Sequence, residues 1–353
     1  MLLHDKVFYS CAFFLLGVFL FSIFNSFYII LLVALFGSAY FIFLKKYGFL
    51  LLVLFLTAGA IYYSGLNFIQ DKINIPFNSK SEVFGIVKNT EHHLSSQDLI
   101  VSLGSPHIGK IKIYAKPYPR FEYGDQIKIS AIISPILEEQ KDYYAKDGIF
   151  GTVKFPEIQV IARNQGNPLK SVLIVIKEKI VSIFNRLLPI DQAALISGIT
   201  IGEREGFSKE LKDKMSLSGT THLVALSGYN ISIIALVMAG IFGSFVPQTI
   251  AFYLTVIFIV LFVAMTGAEA SAVRAAIMGI IALLAEETQR QFSMRNAIIF
   301  AAFGMVLVNP RVLVFDLGFQ LSFAALLGIV YIVPVFQKII GDRQPGFFSW
   351  KKN

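Results

Sequence analysis

The chain has 353 residues, of which 55% are hydrophobic and 15% charged, and it carries a net charge of +8. A mean hydropathy of +0.66 excludes an ordinary soluble domain and points to the bilayer, where one span takes about 20 mostly apolar residues. The single cysteine, Cys11, excludes an intrachain disulfide, and the positive surplus suits anionic lipid heads, nucleic acid, or only the basic loops that orient membrane proteins.

Three apolar runs come first, over residues 7–24, 26–44 and 49–65. The first is read as an anchor and not a signal peptide, because two more follow at once and no small-x-small cleavage pattern appears. Lys45 and Lys46 separate the second and third runs. Short basic loops face the cytoplasm, so the N-terminus is expected inside and the third helix exits near Leu66.

Residues 80–163 change period. In "GKIKIYAKPYP", Ile111, Ile113 and Ala115 alternate with Lys110, Lys112, Tyr114 and Lys116. "GDQIKISAIIS" alternates in the same way. Period two with Gly, Asn and Pro punctuation predicts half-buried antiparallel strands, four to six of them, in a small barrel or sandwich outside the cytoplasm. "GSPHIGKI" approaches a phosphate loop, but Ile111 stands where a hydroxyl is needed and a strand follows, so it reads as a hairpin connection.

Residues 169–188 mix apolar positions with Lys170, Lys177, Glu178, Lys179 and Arg186, which predicts an interfacial amphipathic helix. "FSKELKDKMSLSG" predicts a short helix capped by Ser208 and stopped by Gly219. If nothing between 66 and 221 crosses, the run from His222 starts outside. Further runs over 250–266, 275–285, 297–308 and 321–335 then place Arg290, Arg295, Lys338 and Arg343 inside, in agreement with the basic-loop rule.

The polar groups within these runs are the candidate site. In "THLVALSGYNISII", His222, Ser227 and Asn230 do not share a helical face. A break at Ser227-Gly228 resolves this: a half-helix starting near Tyr229 would aim backbone N–H groups at a cavity, as anion-binding broken helices do. A packed kink is the alternative. Glu269 and Arg274 sit at the outer start of the next span but one, and Arg274 suits a phosphate; it also suits snorkelling to lipid heads. Asp316 and Gln320, four apart, begin the last span, with Asp316 a natural N-cap. All lie in the outer half, above apolar cytoplasmic halves, like a vestibule over a hydrophobic constriction. No cysteine–histidine spacing suggests a metal and no nucleophile elbow appears, so neither catalytic residues nor a cofactor is expected. A hydrolase built on Ser227 and His222, and a small-anion transporter, are competing readings.

The stretches "ALISGITIGEREGFSKELKDKMSLSGTTHLVALSGYNISII", "MTGAEASAVRAAIMGIIALLA" and "NPRVLVFDLGFQLSFAALLGIVYI" closely resemble the competence domain of the ComEC family of DNA-uptake channels. The preceding helices and "YGDQIKISAIISPILEEQKDYYAKDGIFGTVKF" resemble the family's N-terminal region with its OB-like domain. The resemblance implies a polytopic α-helical protein of the bacterial inner membrane with an inserted extracytoplasmic OB-like domain. Its parts would be 1–66 (three helices), 67–165 (OB-like), 166–221 (interfacial helices), 222–340 (competence-type membrane domain) and 341–353 (basic cytoplasmic tail). It implies passage of single-stranded DNA into the cytoplasm during natural transformation, along Gly228 and the polar residues named above. Lys110, Lys112, Tyr114 and Lys116 suit a single-strand-binding face. Expected partners are membrane lipid, an external DNA receptor, a cytosolic helicase-like ATPase, and a further copy or a separate chain completing the pore. The resemblance stops short of the metallo-β-lactamase-like domain of many members, so no catalysis is carried over. A partial or inactive channel fragment stays open as an alternative.

Overall fold

The computed structural model of the chain describes residues 3–43, 45, 50–70, 73–93, 95–203, 206–221 and 228–340. Helices α1 (Leu3–Phe24), α2 (Phe27–Phe43) and α3 (Leu50–Gln70) come first. Glycines bring α1 and α3 together: a Cβ on Gly17 would overlap the carbonyl oxygen of Leu56, and one on Gly59 that of Phe14. Among lipid tails apolar burial gives little drive for helices to associate, so close backbone approach of this kind holds them. Ser22 donates to, or accepts from, the Tyr63 hydroxyl at 3.2 Å, so the two helices end together and run parallel.

Seven strands follow: β1 (Lys80–His92), β2 (Gln97–Leu103), β3 (Lys110–Ala115), β4 (Gln126–Ile132), β5 (Ser134–Pro135), β6 (Ile149–Lys154) and β7 (Glu157–Ala162). They form one sheet in the order β5-β6-β3-β2-β1-β4-β7. β4 and β5 are halves of one strand interrupted at Ile133: β4 pairs with β1, and β5 with β6, so the sheet closes into a barrel. β1, β2 and β3 form an antiparallel meander, and β3 joins β6 in parallel. This is an OB-like path, with β7 added beyond β4. The alternation in the sequence is realised: Ile111, Ile113, Ile127, Ile129 and Ile133 are fully buried, and Lys110, Lys112 and Tyr114 lie on the other face. Residues 104–109 join β2 to β3 as a hairpin connection, as "GSPHIGKI" was read. A short helix, α4 (Lys141–Ala145), lies between β5 and β6.

α5 (Pro168–Leu187) is capped by Asn167, whose side chain accepts from the N–H groups of Leu169 and Lys170, with Pro168 in its first turn. α6 (Ile190–Ile201) is a further helix that the sequence reading did not separate; at about 18 Å it is too short to cross a bilayer. α7 (Lys209–Leu217) is capped by Ser208, which accepts from Leu211 N–H at 3.2 Å, and Gly219 follows it with φ +68°, both as expected.

The C-terminal part holds α8 (Gly228–Phe245), α9 (Gln248–Met265), α10 (Ala270–Glu287), α11 (Met294–Val308), α12 (Val312–Phe315), α13 (Leu317–Leu327) and α14 (Val333–Ile340), the last two joined by a π-helical turn at Gly328–Ile332. Among the described residues, four stretches are long and apolar enough to cross a membrane: Asp5–Phe24, Gly228–Phe245, Gln248–Met265 and Leu317–Gln337. The other predicted runs are also helical, but shorter or, in α10, interrupted by Arg274 and Glu286-Glu287.

The helices alternate in direction. Asp5 and Arg295 pair at 2.7 Å, which brings the starts of α1 and α11 together; Thr249 donates to Glu287 at 2.8 Å, at the same end of the bundle. At the other end, under the barrel, lie the ends of α3 and α11, the end of α9 and the starts of α10 and α13, where Gly318 abuts Ala270. One apolar core joins α1, α3, α11 and α13, and a second joins α8, α9 and α10; Val273 on α10 packs against both. Gly17→Leu or Gly59→Leu should therefore separate α1 from α3. The expected loss is about 1–3 kcal/mol from overpacking, read as a lower Tm of the detergent-solubilised protein, with Gly240→Leu, which meets nothing within 4 Å, as the silent control.

Candidate nucleic-acid interface and membrane mouth

The barrel is clamped to the membrane helices through α4. Asn309 Nδ2 donates to the carbonyl of Lys146 at 2.7 Å, and Arg311 Nη1 to that of Ala145 at 3.1 Å. These carbonyls close α4, where unpaired C=O groups need donors. Lys146 Nζ then pairs with Asp316 at 3.1 Å, with side chains only 12% and 21% exposed, and lies 4.6 Å from the Tyr143 ring centroid. Asp316 also caps α13, accepting from Phe319 N–H at 2.9 Å, so one carboxylate serves both the cap and the clamp. A cavity of about 280 Å³ opens beside this contact, between Tyr63, Lys110 and Arg311.

The β2–β3 face rises from the clamp. Lys110 Nζ donates to the carbonyl of Asp147 at 2.9 Å. Lys112 pairs with Asp98 at 2.9 Å and stands 5.0 Å from the Tyr114 ring centroid. Burial works against its charge, but the hydrogen bond and charge of Asp98 outweigh it, so its pKa is raised and the ammonium persists at neutral pH. Burial, and then a hydrogen bond with Tyr144, pushes the Tyr114 phenol up. Lys116 is exposed at the end of the strand. The face is thus cationic and aromatic, with Asp98 as a competing carboxylate. Glu91, His93 and Asp98 also approach one another at the β1–β2 turn. Spacing could not reveal that group, because Glu91 and Asp98 meet across strands; Lys112 already holds its Asp98 carboxylate.

Within the membrane domain, His222 and Ser227 lie outside the described residues, as does the stretch preceding α8. α8 is described from Gly228 onward, so the expected break at Ser227-Gly228 lies at the edge of the described residues. Asn230 donates to the carbonyl of Ile199 at 2.7 Å, tying α8 to α6. Gln320 donates to the carbonyls of Leu313 and Val314 at 3.3 and 2.7 Å, closing α12. Glu269 occupies the cap position of α10 without a side-chain capping bond.

Arg274 differs from all of these. Its Nη1 is buried without a hydrogen-bond partner among the described residues, its Nη2 lies 3.7 Å from where a Cβ on Gly228 would be, and its guanidinium carbon stands 5.7 Å from the Phe323 ring centroid. The half-buried side chain thus lies between α8 and α13. The two helix groups meet there, about one turn into α10. Phe319 and Phe323, buried with ring centroids 4.4 Å apart, floor this position. The clamp residues Asn309, Arg311 and Lys146 escaped the sequence reading; "NPR" signalled only a helix end.

The fold is a bundle of apolar helices carrying a basic OB-like barrel, the architecture of a membrane protein with a β domain. A profile of the Competence protein family matches residues 199–352. The chain is 30% identical over 171 residues to ComE operon protein 3 of Bacillus subtilis (strain 168), covering 47% of this chain and 22% of that protein. It is 41% identical over 63 residues to the uncharacterized protein YcaI of Escherichia coli (strain K12), covering 18% of this chain and 8% of that one. The chain thus spans less than a quarter of the curated relatives it matches, and no solved structure matches it. Residues 199–352 thus match the competence protein family, and the chain is similar to ComE operon protein 3 over part of its length.

Asp316→Ala should remove the cap and leave Lys146 largely buried without its partner. The expected cost is about 2–3 kcal/mol, seen as a lower Tm and faster proteolysis between barrel and bundle; Asp316→Asn, which keeps a capping oxygen, should recover part of it. Arg274→Met should raise the Tm by a degree or more, since it removes an unsatisfied buried cation of similar volume.

Proposed function

We propose that this chain is the DNA-guiding part of a competence channel in the bacterial inner membrane, with the N-terminus and the Asp5–Arg295 end in the cytoplasm and the barrel outside. Single-stranded DNA is held first on the β2–β3 face, where Tyr114 stacks a base and Lys110, Lys112 and Lys116 hold phosphates. Phosphates then pass the clamp to Arg274, in the seam between the two helix groups, with Gly228, Asn230, Glu269, Asp316 and Gln320 around the mouth. The apolar inner halves form a constriction that opens for the strand. The observation that carries this reading is the half-buried Arg274, whose Nη1 is buried and has no hydrogen-bond partner among the described residues, in a bundle that bears a basic aromatic barrel face. A charge in a span is costly, about 2.5–3.5 kcal/mol on insertion scales, and is kept for function.

Passage is not catalysis, and no residue is assigned a chemical step. Inward movement draws on an external DNA receptor and a cytosolic helicase-like ATPase, and further membrane segments, from a second copy or another chain, complete the pore. The lone guanidinium also fits a small phosphate-like anion, which favours the transporter reading if the barrel has no affinity for DNA.

The test is uptake of labelled DNA in a deletion strain complemented with residues 1–353. Arg274→Met should lower uptake at least about tenfold, equivalent to ~1.4 kcal/mol, with membrane insertion unchanged; wild-type uptake in that variant overturns the assignment. On the barrel, Tyr114→Ala should weaken single-strand binding by about 1–3 kcal/mol. Asp98→Asn should strengthen it by freeing Lys112, an effect that a purely structural face would not give.

A further inference from the structure

A second cationic surface lies away from the β2–β3 face. A groove of about 690 Å³ runs between the barrel rim, α5 and the α6–α7 segment; its walls carry His92, His93, Arg120, Lys177, Lys209 and Lys212 against Glu178 and Glu203. Lys177 is matched to Glu203 at 2.8 Å. Arg120, Lys209 and Lys212 form no ion pair among the described residues, and all three are exposed. They face a common space from two separate elements, which a solvated helix face would not require.

The arginine is held in place. Buried Gln97 donates to the carbonyls of Lys116 and Pro119 at 2.7 and 2.6 Å and accepts from Phe121 N–H at 3.2 Å. Phe121 is 2% exposed, so the loop is anchored on both sides of Arg120. The Arg120 guanidinium stands 6.0 Å from the ring of Tyr118, itself 73% exposed. Opposite, Lys209 and Lys212 are three apart on α7 and share a face, and Ser208 fixes the start of that helix. Preorganised cations lose little freedom on binding. The loop bearing Lys116, Tyr118 and Arg120 starts where β3 ends, so the groove continues the strand face. His92 and Lys177 also line a second cavity of about 400 Å³ leading along α5 to Lys170 and the end of α9.

We infer that this groove is a second binding site for the phosphodiester backbone of a single-stranded nucleic acid, with Arg120, Lys209 and Lys212 contacting phosphates and Tyr118 offering a stacking ring. The inference rests on the DNA-handling reading above. Its occupant is a strand and not lipid heads, because an exposed aromatic accompanies the cations and the groove is continuous with the stacking face.

The test uses the full chain in phosphatidylcholine nanodiscs, binding a fluorescent oligothymidylate across a range of salt. Three phosphate contacts correspond to a slope of log affinity against log salt of about 2 (0.7 each for single strands). The Arg120→Gln/Lys209→Gln/Lys212→Gln variant should lose that much slope, and the Lys209→Arg/Lys212→Arg variant should keep it. An unchanged slope and affinity in the triple glutamine variant, while Tyr114→Ala still weakens binding, overturns this inference alone. Failure of the wild-type chain to bind oligothymidylate overturns it together with the DNA reading. Unaltered oligothymidylate binding with lost affinity for phosphatidylglycerol vesicles assigns the groove to lipid and also overturns it.

Discussion

The clamp at Asn309-Pro310-Arg311 governs how the two halves of this protein face each other. Two side-chain donors from one tight turn satisfy the carbonyls that close α4, and one ion pair, Lys146–Asp316, locks the contact. Backbone groups near a bilayer must be satisfied by protein wherever water is excluded. The turn between α11 and α13 meets that need for the carbonyls that close α4. The barrel is thereby held with the start of β3, at Lys110, over the helix ends, and its basic face leads toward the mouth.

The polar residues at the mouth divide by what they satisfy. Asn230, Asp316 and Gln320 each bind backbone groups and fix helix starts or ends. Their cost in a membrane is offset where they stand. Arg274 is different in kind: Nη1 is buried without a partner among the described residues, and the Phe323 ring centroid is 5.7 Å from the guanidinium. α10 is the element shared by both helix groups, so an anion at Arg274 would touch the one seam along which they can separate. Binding there and opening of the seam would be coupled through differential contacts, as any ligand-driven shift requires.

On the barrel the same division holds. Asp98 neutralises Lys112 at rest, and a phosphate must compete with it. That arrangement keeps the lysine positioned while limiting affinity, which suits a strand that must move on. The groove at Arg120 adds Arg120, Lys209 and Lys212, which form no ion pair among the described residues.

Much of this was legible in one dimension, because periodicity is a local property. Alternation at Ile111, Ile113 and Ala115 fixed the inner face of β3, Ser208 and Asp316 marked helix starts, and the apolar runs located the helices. Contacts between residues far apart in sequence were not legible: Lys146 with Asp316, Asn309 with the α4 carbonyls, Arg120 across from Lys209, and the glycine contact of α1 with α3. Local pattern reports which face is apolar, whereas partner choice is set by which faces the closed barrel and the alternating helices bring within a few ångströms. The sequence by itself determined a basic β domain set among membrane helices. Only the tertiary structure decided that Asn230, Asp316 and Gln320 bind backbone groups and that Arg274 Nη1 has no hydrogen-bond partner among the described residues, because hydrogen-bond satisfaction is a property of the assembled neighbourhood and not of the chain.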